Sequence, residues 1–506
     1  MPSSNLSHLL LVSFPGWGHA RPLCVLAARL VSESDKVLVT VLTTPHMLDK
    51  TRFEISRQFE TGSLALQRIR LVSVFQSDAT DMMAVLGLFA KSYAPAYETL
   101  TLAKPITCSM TGTLFEAAPA PVAVILDFFA LPQLQATRAL TGRSVPVISW
   151  VTGGCSTFIR GWGPESFGGL GDFGAKVDAE VARTNKSALE VGEQLYRHTD
   201  GSLVQIPGIR AMYDHEFFPQ KLPFEMPVSM LIRGGREYTC SFLMDSDAVL
   251  IASSDAYEKV SLDAVRAWFL ELEKPVYAVG PLLPAGYAST RSDVNESNAN
   301  VEVFLEDMLE KHGPRSVVFI SFGTAFWPTK GEYLEEVVEA LIKKSFPFIL
   351  SHASPFAKVS AELSEKVQSW GLGLLTSWSP QQYILNHQAR NGLVPHSRRA
   401  RRICWPFDAD QPTAAAHLTE NLKAAFELIE VRTGLGLKPL HRTGKAPKGT
   451  REAVGVEIRA VLDACRGEEG KQLRRNAEQL KVEFAAAWED GGAAKADLRR
   501  LLEKYA

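Results

Sequence analysis

The chain has 506 residues, 46% of them hydrophobic and 22% charged, which exceeds one ordinary core and points to two large domains. That composition excludes a disordered chain, a collagen-like chain and a coiled-coil filament. Lys+Arg 54 against Asp+Glu 56 leaves a formal charge of -2, without the basic surplus of a nucleic-acid or anionic-membrane binder, so an anionic ligand has to be met locally.

The first element is an apolar, strand-length run from Leu9 to Phe14. It is far shorter than the ~18 residues of a membrane span and lacks a signal peptide's basic start, so neither span nor signal peptide is expected. The run ends in Phe14-Pro15-Gly16-Trp17-Gly18-His19-Ala20-Arg21-Pro22, and a helical pattern (Leu23, Leu26, Ala27, Leu30) follows. This puts His19 in the crevice beyond the carboxyl end of a first strand, where open α/β sheets bind ligands. An imidazole there serves as a general base once a neighbour fixes its tautomer; a solvated turn histidine is the plainer alternative. Arg21 stands where a dinucleotide fingerprint needs its third glycine.

Further strand-length runs are Val37 to Leu42, Val122 to Leu126, Val145 to Val151, Ala248 to Ala252, Val317 to Ile320 and Pro347 to Leu350. Continuous apolar runs separated by helical stretches predict an α/β fold whose parallel strands are buried on both faces, one sheet per half. Asp127, directly after the third run, is either the carboxylate that orients His19 or a helix N-cap for Phe128 to Leu140. Gly161 to Gly174 is rich enough in glycine to predict a long loop, and the polar stretch Gly286 to Asn300 a second, exposed one. The domain boundary is placed upstream of this second loop, at 244/245. Ser321-Phe322-Gly323-Thr324 is a small-residue turn at a strand end, suited to phosphate oxygens or to an ordinary strand-to-helix connection.

The richest stretch is Trp378-Ser379-Pro380-Gln381-Gln382-Tyr383-Ile384-Leu385-Asn386-His387, continued by Cys404-Trp405-Pro406-Phe407-Asp408-Ala409-Asp410-Gln411. An aromatic plane beside a carboxamide suits a stacked base and its ribose, and an Asp-Gln pair suits vicinal sugar hydroxyls; a core Trp beside a solvated turn is the structural alternative. At the end, Leu473, Leu480, Phe484 and Trp488 form one helical stripe and Leu498, Leu501, Leu502 and Tyr505 another, both needing a partner surface. Six cysteines without a Cys-x-x-Cys pair predict neither a disulfide framework nor structural zinc, and a reducing, cytoplasmic setting.

Together these residues resemble the UDP-dependent glycosyltransferase superfamily, specifically its soluble fungal and plant type with the GT-B fold. The resemblance runs from Gly16-x-Gly18-His19 through Ser321 to Thr324 and on to the split box between Trp378 and Gln411. It implies two Rossmann-like domains facing a cleft: residues 1–244 for the acceptor, 245–470 for the UDP-sugar, and 471–506 as helices packing back towards the first. It further implies that His19 deprotonates the acceptor hydroxyl with Asp127 as its partner, and that Trp378 stacks on uracil while Gln381 bonds the ribose. Asp410 and Gln411 hold the sugar hydroxyls near Trp405, and Gly18, Ser321, Gly323 and Thr324 complete the donor site. Members invert the anomeric centre without a metal or other cofactor, the UDP-sugar being a co-substrate. The Asp410-Gln411 ending favours glucose, and a small lipophilic hydroxylated acceptor is expected against Tyr93, Phe128, Phe129, Trp150, Phe158 and Trp162.

One interval departs from the family. From Gln388 to Arg402 the Gly-Phe-x-x-His-x-Gly-x-Asn-Ser-x-x-Glu text is missing, and the interval is shorter than the family's. Val394 to Ala400 can be encoded by GTT-CCT-CAC-TCA-CGC-CGG-GCA, and a single-nucleotide shift of that run reads Phe-Leu-Thr-His-Ala-Gly, part of the missing text. A slipped reading frame accounts for the stretch; a genuine arginine patch for phosphate is the alternative. Two other functions compete: a non-catalytic, glycosyltransferase-like binding protein lacking the diphosphate cradle, and a nicotinamide oxidoreductase, which Arg21 disfavours.

Overall fold

The computed structural model of the chain describes residues 6–79, 81–222, 241–283, 296–323, 326–387, 389–393 and 402–506. It divides into two units, Met1–Leu195 with Val228–Gly286 and Phe484–Ala506, and Tyr196–Pro227 with Tyr287–Glu483.

The first unit is built on a seven-stranded parallel sheet of β1 (Ser7–Val12), β2 (Val37–Thr43), β3 (Ile69–Ser73), β4 (Pro121–Asp127), β5 (Val147–Val151), β6 (Ala248–Ile251) and β7 (Val276–Ala278). The order is β7-β6-β5-β4-β1-β2-β3, every neighbouring pair parallel. Its inner strands are mostly apolar and buried because both faces are covered, with His8, Thr40 and Ser149 among the buried polar exceptions in β1, β2 and β5. Leu9, Leu11, Val39, Val41, Ile125 and Trp150 form one core with Leu498 and Leu501 of the C-terminal helix. Burial of each such side chain contributes about 1.5–3 kcal/mol. Because β1 has β2 on one side and β4 on the other, the order reverses there, opening a crevice beyond the carboxyl ends of β1 and β4. Three helices border that end: α1 (Trp17–Glu33) after β1, α2 (Cys155–Trp162) after β5, and α3 (Asp255–Glu271) after β6.

Residues after 244 continue this unit. β6 pairs with β5 along Ala248↔Ile148 to Ile251↔Val151, and β7 pairs with β6, so the first unit runs on to Gly286 instead of ending at 244. The end of the chain also belongs here: Asp497 Oδ2 accepts the backbone N–H of Ala278 at 2.7 Å, and Trp488 Nε1 donates to Pro281 O at 3.0 Å. The glycine-rich stretch is only partly a loop, since α2 runs to Trp162, Glu165–Phe167 forms a short turn of helix, and a further helix starts at Phe173. A Cβ on Gly169 would lie 2.1 Å from Gly163 O, so these glycines let the backbone wrap onto itself.

The second unit holds β8 (Val317–Ser321), β9 (Phe348–Ser351), β10 (Gly373–Thr376) and β11 (Arg390–Leu393) in the parallel order β10-β9-β8-β11. β8 is buried on both faces, Val318 and Ile320 against Val337, Leu341 and Ile458, and Val317 and Phe319 against Leu305 and Ile384. Two more strands, β12 (Arg402–Cys404) and β13 (Ala425–Glu427), pair with each other in parallel. Residues 394–401, between β11 and β12, lie outside the described residues. Residues 296–300, expected in a loop, open the helix Glu296–His312; the rest of that expected loop, 286–295, lies outside the described residues.

Tyr196–Pro227, from the N-terminal half of the sequence, is part of this second unit. Arg442 lies 3.3 Å from Glu216 and 2.7 Å from Glu427, which also pairs with Arg432 at 2.8 Å, all four being buried. Gln220 Nε2 donates to Val431 O at 2.9 Å, and the Lys221 N–H donates to Thr433 Oγ1 at 2.7 Å.

Candidate active site

In the first unit the chemistry gathers at the point where strand order reverses. The turn after β1 leads into the first turn of α1, which carries Gly18 and His19, while β4 ends in Asp127. Asp127 Oδ2 accepts a hydrogen bond from His19 Nδ1 at 2.8 Å, and Asp127 Oδ1 accepts the Phe129 N–H at 3.1 Å. The following helix begins only at Leu131 with Ala130 at its N-cap, so Asp127 serves the imidazole and a local turn and does not cap the helix. A carboxylate only accepts, so Nδ1 carries the proton and the basic lone pair lies on Nε2. The His19 side chain is 23% exposed and Asp127 0%, a base within reach of a solute, oriented by a carboxylate that is not.

Phe14 and Phe129 form a triangle of rings with His19, their centroids 5.2 and 5.5 Å from it and 5.8 Å from each other. Phe128 stacks on Phe129 at 4.2 Å, and Trp162 meets Phe128 and Phe129 edge-on at 5.0 and 6.0 Å. Of the aromatics expected to line an acceptor pocket, Phe129 and Trp162 are therefore partly exposed near His19, and Phe128 and Phe158 are buried behind them. Tyr93 and Trp150 are fully buried core side chains. Thr152, absent from the sequence expectations, brings Oγ1 to 3.3 Å from His19 Nδ1. The available signal was a hydroxyl followed by Gly153-Gly154 at the end of an apolar run.

In the second unit a cavity of about 260 Å³ opens beyond β8, lined by Ser321, Gly323, Gln381, Trp405, Asp410 and Gln411 among others. Six of the expected donor-side residues thus meet in one cavity. Gly323 adopts φ +73°, and the Gln381 side-chain amide donates to Ser321 Oγ at 3.4 Å. Gln411 Oε1 accepts the Phe407 N–H at 2.9 Å, while Asp410 is exposed at the start of the short helix Gln411–Ala416. Trp405 packs edge-on to Phe322 at 5.3 Å, and its buried indole N–H has no hydrogen-bond partner among the described residues. Trp378 is not among the lining residues and presents a half-exposed ring. Gly18 lies in the other unit, exposed on α1, and Thr324 lies outside the described residues.

No family model matches the chain. UDP-glycosyltransferase eriJ of Hericium erinaceus is 30% identical over 529 residues, an alignment covering 99% of this chain and 99% of that protein. The chain belongs to the UDP-glycosyltransferase family. UDP-glycosyltransferase 84A1 of Arabidopsis thaliana is 24% identical, covering 99% of this chain and 95% of that protein. Two solved UDP-glycosyltransferases give the fold: one from Siraitia grosvenorii in complex with UDP (TM-score 0.68, 17% identity, 99% of both chains) and one from Medicago truncatula complexed with UDP-glucose (TM-score 0.68, 17% identity, 99% and 98%). The architecture is GT-B, with a parallel sheet in each unit. Among the described residues, no helix is long and apolar enough to cross a membrane. The first unit thus brings His19 and Asp127 together, and the second brings Ser321, Gly323, Gln381, Trp405, Asp410 and Gln411 to one cavity.

Proposed function

We propose that the chain transfers a hexose, glucose by its Asp410-Gln411 ending, from a UDP-sugar to a hydroxyl of a small lipophilic acceptor in the cytosol. The observation that carries this reading is the buried Asp127 carboxylate on His19 Nδ1 in a chain of this family. His19 Nε2 takes the acceptor proton while the acceptor oxygen bonds to the anomeric carbon. The bond from that carbon to the diphosphate oxygen breaks, and UDP leaves with the electron pair. One displacement inverts the centre, and Asp127 stabilises the imidazolium that forms. Backbone N–H groups of the Ser321–Gly323 turn would face the diphosphate, the charge to be neutralised without a metal. The aromatic wall of Phe14, Phe129 and Trp162 favours a lipophilic acceptor. The free thiols of the described cysteines suit a reducing compartment.

The test is transfer from UDP-glucose to a panel of hydroxylated terpenoids, sterols and phenols, with His19→Ala alongside. Loss of about 10²–10⁴-fold in kcat with retained UDP binding is the expected result for a general base. Loss of UDP binding together with turnover would make His19 structural. A second reading has its own support: the interval Gln388 to Arg402 lacks the family's Gly-Phe-x-x-His-x-Gly-x-Asn-Ser-x-x-Glu text. A non-catalytic acceptor binder would show saturable acceptor binding and none of UDP-glucose.

A further inference from the structure

We propose that Thr152 is a positioning residue for His19, a role that rests on the reading of His19 as the base. Parallel pairing sets Asp127 opposite Trp150, so β4 and β5 bring the Asp127 carboxylate and the Thr152 hydroxyl to the same sheet end. Both reach one nitrogen of His19, Asp127 Oδ2 at 2.8 Å and Thr152 Oγ1 at 3.3 Å. A single hydrogen bond leaves an imidazole free to pivot about the line joining donor and acceptor. A second acceptor on Nδ1, coming from a different strand, fixes the ring plane and with it the direction of the Nε2 lone pair. Phe14 and Phe129 limit the tilt of the ring but supply no polar direction.

The turn that carries Thr152 is itself clamped. Glu258 on α3, 3% exposed, accepts the N–H groups of Cys155 at 2.6 Å and Ser156 at 3.2 Å, and the Ser253 hydroxyl at 2.5 Å. The carboxylate thereby satisfies the first N–H groups of α2. A Cβ on Gly154 would lie 3.2 Å from Glu258 Oε1, so the chain passes this close because it is glycine there. Glu258 itself leaves helical geometry (φ -146°, ψ 55°), which sets its carboxylate against the start of α2. The backbone turn that carries Thr152 is thus fixed at both ends, by β5 before it and by Glu258 after it.

The experiment compares Thr152→Val, which keeps the shape, Thr152→Ser, which keeps the hydroxyl, and His19→Ala in the full chain. Steady-state kinetics with UDP-glucose are read together with Tm and the His19 Nδ1 shift in a ¹⁵N-histidine spectrum. Misorienting a reacting group costs about 10- to 10²-fold, so Thr152→Val is expected to lower kcat by that factor with donor KM held within about twofold. Thr152→Ser recovers most of the loss, and the His19 Nδ1 resonance moves in Thr152→Val and returns in Thr152→Ser. Wild-type kcat in Thr152→Val, a loss expressed as donor KM, a serine variant as impaired as the valine one, or an unmoved Nδ1 resonance each overturns the proposal. If Thr152→Val does not fold, Thr152→Ala against Thr152→Ser makes the same comparison. Full activity in His19→Ala would sink the base reading itself, whereas an inactive His19→Ala beside an unaffected Thr152→Val sinks only this inference.

Discussion

The two strand-end sites in this chain use the same device and reach different degrees of completeness. Beyond β1 and β4, a partly exposed imidazole on α1, a buried carboxylate at the end of β4 and a hydroxyl just after β5 meet at one end of a single sheet. Beyond β8, Ser321, Gln381 and Gln411 line one cavity, but the residues between β11 and β12 read as foreign to the family. The first site depends on hydrogen bonds whose partners are all present. The second is interrupted in sequence, between Gln381 and Trp405, by the interval that departs from the family. On the proposed function, proton transfer and donor binding fall to different units, and each can be challenged without touching the other.

The largest effect should come from the interval itself. The transcript across the codons for His387 to Cys404 is expected to restore the glycine, Asn-Ser and Glu text in frame. The restored protein should bind UDP about 10²-fold or more tightly than the chain as written, since two hydrogen bonds to charged phosphate contribute about 1.5–3 kcal/mol each. Calorimetric titration of both forms checks this, and equal affinities would remove the contrast between the sites. Next, Trp378→Ala should weaken UDP-glucose binding by about 1–3 kcal/mol, the contribution of a base stacked on an aromatic ring, while kcat at saturating donor stays close to wild type. An unchanged donor affinity would show that the half-exposed Trp378 ring is idle.

The smallest effect concerns pH. Burial pushes the Glu457 carboxyl up to about 7, against the backbone N–H groups of Ile429 and Glu430, which act to lower it. The folded state then holds its proton more tightly than the unfolded chain. Its stabilising contribution is complete below the ordinary carboxylate range and is lost as pH rises through about 7. The Tm of the second unit should fall between about pH 5 and 8, and Glu457→Gln should flatten that fall. Equal slopes in the two proteins would count against a titrating Glu457.

Much of the first site was legible because its chemistry sits at the ends of uninterrupted apolar runs. Leu9 to Phe14 and Val122 to Leu126 mark β1 and β4, and His19 and Asp127 follow them directly. Strands outside such runs were missed: β3 carries Arg70 at the sheet edge, β10 is a short edge strand, and β11 is Arg390-Asn391-Gly392-Leu393. Thr152 was missed for a different reason. Its partner lies 133 positions away, and a hydroxyl carries no periodic signal. The boundary after 244 was misplaced because β6 and β7 are typical buried strands, and which sheet a strand joins is decided by distant pairing that local pattern does not contain.

The buried guanidinium of Arg442 has a consequence for how this gene can be cut and recombined. Its carboxylate partners come from two distant stretches, Glu216 before the first unit resumes and Glu427 well after. A fragment beginning at residue 287 would discard Glu216 and leave the buried guanidiniums of Arg442 and Arg432 to share Glu427, and breaking a buried ion pair by removing one partner costs about 3–5 kcal/mol. The donor half is therefore not a contiguous cassette. A chimera that borrows it from a relative must borrow Tyr196–Pro227 as well, and inheritance ties those two stretches of the gene together.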